Sequence, residues 1–353
     1  MGHNEATGRT DEHYLATLIG CAVGDALGMP VEGWKREQIL KYVGRIDDMI
    51  DPVIVRDSVG NKVTEDEFGK LRYWTEDFRK GEYTDDTILA LALAESIATV
   101  RGLDLNDVAV RQLETYTSRR RTDGSVKGGF GGTTMLAFKN LETGVSPLES
   151  GVIGGPGNGP AMKMAPLGMY MHATGKYDEG LRFAELVGRI THRDPRSVAS
   201  GVVQAHAVYA ALQGLACSTF VDSVVNVCCR FENPLTTRFT AWKQGGLRRR
   251  LEWIKYNRNV DPQVAHEHLG SSSNVYQSYP FALFMFQKYW DDPINGLIET
   301  VNYGGDCDTT GAMFGALAGA RHGMVFPARW ESKLQGLEPL VRAAKQISSL
   351  RSL

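Results

Sequence analysis

The chain has 353 residues, a formal net charge of −2 at pH 7 and 42% apolar residues, ample for a large core in one big domain or two ordinary ones. There is no basic excess to neutralise phosphates, which argues against nucleic acid as a main partner. Five cysteines, an odd number in a long chain, do not make a disulfide framework and fit reduced thiols in a cytoplasmic protein better. Residues 1–12 are polar, with no positive segment leading into an apolar one, so they read as a flexible N-terminus rather than a signal peptide. No run of about 18 uncharged apolar residues is present, and no membrane span is expected.

The first helix is predicted from His13 to Gly28. It is rich in small residues (Ala16, Gly20, Ala22, Gly24, Ala26, Gly28), which let helices approach closely, so it should be central and buried. Asp25 interrupts it, and a carboxylate there must be hydrogen-bonded; capping of a neighbouring loop is the expected role. Glu32 follows, in isolation an ordinary surface glutamate. Residues 33–82 are irregular, and Asp51 to Val63 has room for a short hairpin around Ser58–Asn61.

Tyr83-Thr84-Asp85-Asp86-Thr87 then opens a strongly helical stretch. Two acids and flanking threonines stand at the mouth of an apolar helix. Helices are expected over 84–101 and 104–120, then 160–174, 178–191, 195–213, 219–231, 245–258, 279–289, 292–302, 308–323 and 335–350. Strand signals are few, and no repeat or linker marks a second domain.

Two glycine-rich loops lie between helices, Lys127–Thr134 and Gly151–Met162. Neither carries the Gly-Lys-Ser/Thr ending of a P-loop or the dinucleotide glycine spacing. The second runs into a helix, where backbone N–H groups can close on a pyrophosphate, although a tight turn would look the same. His192 is expected at a helix C-terminus, where a histidine is favoured by the dipole alone. Arg248-Arg249-Arg250 reads as a solvated helix face and Phe281–Trp290 as core.

Near the C-terminus, Gly304-Gly305-Asp306-Cys307-Asp308-Thr309 repeats the acidic design of Thr84–Thr87. Acids this close repel unless a cation sits between them, and a hard divalent ion prefers such oxygens; helix capping is the plain alternative. Two such mouths facing one another supply at least four carboxylates and two hydroxyls, enough for a dinuclear site. Cys307 reads as a spacer, with no base beside it. An EF-hand is excluded because its twelfth position would be Leu317. A prenyl-diphosphate motif is excluded because Leu89 stands where its third aspartate belongs.

These pieces together resemble the ADP-ribosylglycohydrolases: Gly24–Gly28 with Glu32, Tyr83–Thr87, Gly157-Asn158-Gly159 with Ala161-Met162, Thr191-His192, and Gly304–Thr309, in register over nearly the whole chain. The resemblance implies one compact all-α domain, an orthogonal helical bundle over residues 13–353, around two Mg²⁺ or Mn²⁺ ions. It places Thr84, Asp85, Asp86, Asp306, Asp308 and Thr309 as metal ligands, with Glu32 as a movable ligand or acid/base group. Gly157, Asn158, Gly159 and His192 would surround the diphosphate and distal ribose, and Gly270 to Tyr279 would border the adenosine. Glu32, Asp306 or Asp308 would take the proton of the attacking water. The implied substrate is an ADP-ribosylated protein or small ADP-ribosyl compound, with arginine as the first linkage by analogy. The rival from another class is a non-catalytic binder, for example an antitoxin that blocks an ADP-ribosyltransferase partner by contact. Two features depart from the family: Lys163 replaces an arginine, with its charge expected intact, and the stretch before Thr84 is long. Residues 47–80 are therefore expected to form a lid or partner-binding insertion.

Overall fold

A computed structural model describes residues 10–232 and 246–352. From α1 (Thr10–Gly28) the chain passes through α2 (Arg36–Tyr42) into a long irregular stretch whose assigned strands are β1 (Glu65–Asp66) and β2 (Gly69–Lys70). Then come α3 (Asp85–Val100), α4 (Leu105–Thr117), α5 (Gly132–Glu142), α6 (Gly159–Met162), α7 (Ala165–Thr174), α8 (Tyr177–Arg189), α9 (Pro195–Leu212) and α10 (Cys217–Phe231). The remainder is α11 (Leu247–Tyr256), α12 (Pro262–Leu269), α13 (Val275–Lys288), α14 (Pro293–Asn302), α15 (Cys307–His322), α16 (Ala328–Glu331) and α17 (Leu337–Ser348). The expected all-α architecture holds. Part of the expected N-terminal tail, residues 1–9, lies outside the described residues, and from Thr10 the chain is already helical.

The centre of the fold is the antiparallel pair α1 and α15, joined along two stripes of small residues. A Cβ on Gly20 would lie 2.2 Å from the Gly315 carbonyl oxygen, one on Gly24 2.0 Å from that of Gly311, and one on Gly28 2.3 Å from that of Cys307. On the facing helix, a Cβ on Gly319 would meet Ala16 O at 1.9 Å. Backbone therefore rests on backbone over three turns, an approach that side chains would forbid. Asp11–Val31 is long and apolar enough to cross a membrane by length and composition, but 94% of that window is buried inside the protein. It is the core helix that its small residues predict.

Several elements differ from the sequence reading. The helix expected over 160–174 breaks between Met162 and Ala165, because Pro166 has no N–H to continue the ladder and begins a new helix instead. Gly132–Thr134, read as loop, form the first turn of α5, and α2, α5, α12 and α16 are not among the expected helices. α13 starts at Val275, ahead of the expected 279, and carries Pro280 in its second turn. Around Ser58–Asn61 the chain does turn back: Asp57 N donates to Asn61 O at 2.9 Å, and Arg56 bridges Lys62. Phe281, Phe284, Phe286 and Trp290 are core as expected, but Arg250 is more than solvated surface, since it donates to the carbonyls of His268 and Leu269.

Candidate active site

The α1–α15 pairing brings the C-terminal end of α1 to the N-terminal end of α15, and so sets Glu32 beside Asp306 and Asp308. Gly33 N donates to Gly305 O at 2.7 Å and Gly305 N to Trp34 O at 2.8 Å, closing a backbone clasp between the two segments. Gly304 and Gly305 have φ of 71° and 70°, and a Cβ on Gly305 would lie 2.3 Å from Ser271 Oγ. Only glycine meets both demands. Asp306 N donates to Ser271 O at 2.7 Å, which fixes the start of α15.

The second acidic mouth is anchored by Asp25. Its carboxylate, fully buried, accepts from Thr84 N at 3.0 Å, Thr84 Oγ1 at 2.9 Å, Thr87 N at 3.1 Å and Thr87 Oγ1 at 2.7 Å. This is the capping role expected for Asp25, here on the first turn of α3. Asp85 N donates to Gly128 O at 2.6 Å. Thr84 itself is fully buried, and its Oγ1 also lies 3.1 Å from Asp86 Oδ2.

The two mouths meet. Oxygens of Asp25, Asp86 and Asp308 lie within 4.8 Å of one another, and so do those of Glu32, Asp306 and Asp308. Asp308 is shared, so the triads adjoin. Burial pushes the carboxyls of Asp86 and Asp308 well above the usual range, with Asp25 adding to the shift at Asp86 and Glu32 to that at Asp308. Glu32 and Asp85 are raised in the same way, by burial first and then by Asp306 and Asp25 respectively. Asp25 is pushed up to about 6 by burial, against the pull of its threonine donors. Asp86 Oδ1 is buried without a hydrogen-bond donor. Among the described residues that line the cleft there is no lysine or arginine to balance these acids. An orphaned carboxylate oxygen and an all-oxygen donor set fit hard divalent cations.

The acidic floor opens into a cleft of about 380 Å³. One wall is the second glycine loop. Asn158 Nδ2 donates to Asp306 Oδ2 at 2.7 Å and to Ser278 Oγ at 3.1 Å, and Asn158 N donates to Ser273 O at 3.2 Å. Gly157 pairs with Asn274 as an isolated bridge. His192 does not end a helix: α8 stops at Arg189, and His192 is held extended by a parallel bridge to Val152. His192 N still donates to Gly188 O at 3.0 Å, so the residue stands just beyond the C-terminal carbonyls of α8 rather than within the helix. Its ring packs beneath the loop, where a Cβ on Gly157 would lie 2.6 Å from Nε2 and one on Gly159 2.8 Å from Cε1. Burial first, then the Lys163 ammonium, pushes the imidazole down to about 3, so it is neutral at physiological pH. The opposite wall holds Gly129, Gly131, Thr133 and Thr134, from the first glycine loop and the start of α5. Of the stretch Gly270–Tyr279, Ser273 and Asn274 line the cleft, while Tyr279 is core.

A family model described as ADP-ribosylglycohydrolase matches residues 6–352. The chain belongs to the ADP-ribosylglycohydrolase family. It is 32% identical over 321 residues to an uncharacterized Escherichia coli (strain K12) protein, YegU, covering 89% of this chain and 88% of that one. It is 29% identical to human ADP-ribosylhydrolase ARH3, covering 72% of this chain and 75% of the relative. A solved structure described as an ADP-ribosylglycohydrolase-related protein complex superposes with a TM-score of 0.64 at 25% identity, over 97% of this chain and 99% of that one.

Within this family fold, two features went beyond the sequence reading. Asp25 not only caps α3 but contributes an oxygen to one acidic triad, a role its place inside a predicted helix concealed. Lys163 is fully buried, with Gln112 Oε1 at 3.2 Å and Thr191 Oγ1 at 3.3 Å. Burial pushes its ammonium down to about 7, with Asp85 opposing, so its charge is not simply retained as expected. Cys307 is the inert spacer anticipated: its buried thiol donates to Gly28 O at 3.3 Å, and burial pushes its pKa up.

Proposed function

We propose that this protein is a metal-dependent hydrolase that removes ADP-ribose from a modified side chain, with arginine as the first linkage to test. The single observation that carries the reading is the meeting of the two acidic helix mouths, in two carboxylate triads that share Asp308, in an open cleft of a chain that belongs to the ADP-ribosylglycohydrolase family. The buried acids, with no balancing cation along the cleft, support two Mg²⁺ or Mn²⁺ ions held by Thr84, Asp85, Asp86, Asp306, Asp308 and Thr309. Such ions supply Lewis-acid polarisation and a water of lowered pKa.

The chain's own residues do the rest. Asn158, tied to Asp306, aligns the glycine loop with the acidic floor, so a diphosphate against that loop sets the distal ribose over the carboxylates. The neutral His192 ring supports the loop from below and offers Nε2 near Gly157. Glu32, half-buried at the cleft floor, or the Asp306/Asp308 pair takes the proton of the attacking water as the bond at C1″ breaks through an oxocarbenium-like state. Residues 47–80 would limit which modified proteins reach the cleft: their Trp74 stands at its edge, next to Gly129.

The test is incubation of the protein with ADP-ribosylated arginine and serine peptides and with a small ADP-ribosyl compound, each with Mg²⁺, with Mn²⁺ and with chelator. Release of ADP-ribose that depends on the ion supports the reading, and the preferred peptide identifies the linkage. No release from any of the three with either ion would sink it.

A further inference from the structure

Beside the cleft, a second and a third concavity run between residues 73–83 and 119–129. The first, of about 230 Å³, is walled by Trp74, Phe78, Lys127 and Gly129. The next, of about 190 Å³, shares Phe78, Lys127 and Gly128 with it and ends at Tyr83 and Arg119. Gly129 belongs to the cleft as well. Shared walls at Gly129, then at Phe78, Lys127 and Gly128, set the three side by side in a row from the acidic floor to Arg119, hereafter the track.

Its start lies against the acids. A point at the Cβ position of Gly129 is 2.8 Å from Trp74 Cη2 and 3.2 Å from Asp85 Oδ1, so the indole edge and that carboxylate are neighbours. Trp74 is 36% exposed, an aromatic surface left open at the lip of the cleft.

The charges along the track are satisfied, with one exception. Asp77 pairs with Arg121, Glu76 with Lys62, and Glu82 takes both oxygens to Lys127 Nζ at 2.9 and 2.8 Å. Arg119 is half-buried and forms no ion pair among the described residues; its guanidinium reaches only Thr115 O, at 3.5 Å. Burial pushes its pKa down, with Tyr83 and Glu82 opposing. A guanidinium taken partly out of water without a carboxylate or phosphate is poised to gain one.

We propose that this track, which rests on the hydrolase reading, is the subsite for the polypeptide that carries the modified residue, and that Arg119 pairs there with a carboxylate of that polypeptide. Continuity with the cleft selects the acceptor side as occupant, and Arg119, without an ion pair of its own among the described residues while the nearby Glu82 is held by Lys127, selects an acidic neighbour. The ADP-ribosyl group sits over the acids, the flanking chain leaves past Trp74 and over Lys127, whose ammonium lies 4.8 Å above the buried Phe78 ring, and an Asp or Glu a few residues away reaches Arg119.

The experiment compares ADP-ribosylated peptides of one sequence carrying Glu at each of the neighbouring positions in turn, or none. Hydrolysis by the full chain and binding by fluorescence anisotropy are both measured. The parent should favour one acidic peptide over the neutral one by about tenfold in kcat/KM or in Kd. Arg119→Gln should erase that preference, and Arg119→Lys should keep part of it. An equal ratio in parent and Arg119→Gln overturns the subsite, as does inorganic phosphate binding that depends on Arg119 without any peptide preference. If the preference appears in binding while no peptide is hydrolysed, the subsite stands and the hydrolase reading falls.

Discussion

Asn158 donates through Nδ2 to Oδ2 of Asp306 over 2.7 Å, a bond that ties the glycine loop to the start of α15. Both residues are buried, so the bond is shielded from water and fixes the wall of the cleft against its acidic floor.

The acidic floor makes a prediction with a sign. Burial and Glu32 raise the pKa of Asp308 in the folded protein, so without metal its ionised form costs stability. That cost is absent below the unfolded carboxylate pKa of about 4 and grows as pH rises through the folded value. Metal-free Asp308→Asn should therefore melt above the parent at pH 8, by roughly 1–3 kcal/mol, with the gap closing towards pH 4. The same variant should lose the thermal shift that Mg²⁺ or Mn²⁺ gives the parent, and hydrolysis should fall on the order of 10²-fold or more. Parent-like turnover by this variant, or by Asp306→Asn, would refute the dinuclear assignment.

The glycine loop makes the second. A side chain on Gly159 meets His192 before it meets any ligand, because the ring carbon lies 2.8 Å from the Cβ position. Gly159→Val should weaken ADP-ribose binding by about tenfold or more and also cost roughly 1–3 kcal/mol of stability. Adding His192→Ala should restore part of the stability but not the affinity. Calorimetry and melting of the two variants check this, and affinity equal to the parent's in Gly159→Val would reduce the loop to a turn.

Lys163 makes the third. Its folded pKa, about 7, lies below the unfolded value, so the parent gains stability from this group as pH rises from about 7 towards 10. Lys163→Met should be more stable than the parent at pH 6, by roughly 1–3 kcal/mol, with the advantage shrinking by pH 9. A gap that does not change with pH would show that the ammonium is stably paired.

Residues 51–66 make the fourth. Tyr73 Oη donates to Val63 O at 2.6 Å and Gln38 Nε2 to Asp66 Oδ1 at 2.9 Å, so the segment is pinned to α2 beneath its exposed tip at Val59. Replacing 51–66 with a short Gly/Ser linker should cost stability, roughly 1–3 kcal/mol, for those lost bonds. Hydrolysis of a small ADP-ribosyl compound should persist, while the ranking of modified protein substrates should change. Unaltered kinetics and ranking would make the segment padding.

Much of this was written in the chain. The small residues of α1, the two acid–threonine mouths and the Gly157–Gly159 loop announce themselves because each is a local pattern with few physical solutions. The placement of Glu32 was legible only through resemblance, since nothing local separates it from a surface glutamate. The place of His192 beyond α8 and the lowered pKa of Lys163 are not legible locally for a shared reason: what holds them, Val152 for one and Gln112 with Thr191 for the other, lies far along the chain. The break before Ala165 and the start of α5 at Gly132 were hidden by proline and glycine, which mark helix starts as readily as loops.

The seam between α1 and α15 also bears on how the protein is made. Asp25 and Glu32, on and just after α1, complete an acidic floor whose other members stand on α3 and α15, and neither glycine stripe has a partner until the other exists. During synthesis the N-terminal helix must wait, its glycine face uncovered, until almost the whole polypeptide has left the ribosome. Any product that stops before α15 carries an incomplete acidic floor and an open seam, so premature termination leaves neither the site nor the core closed.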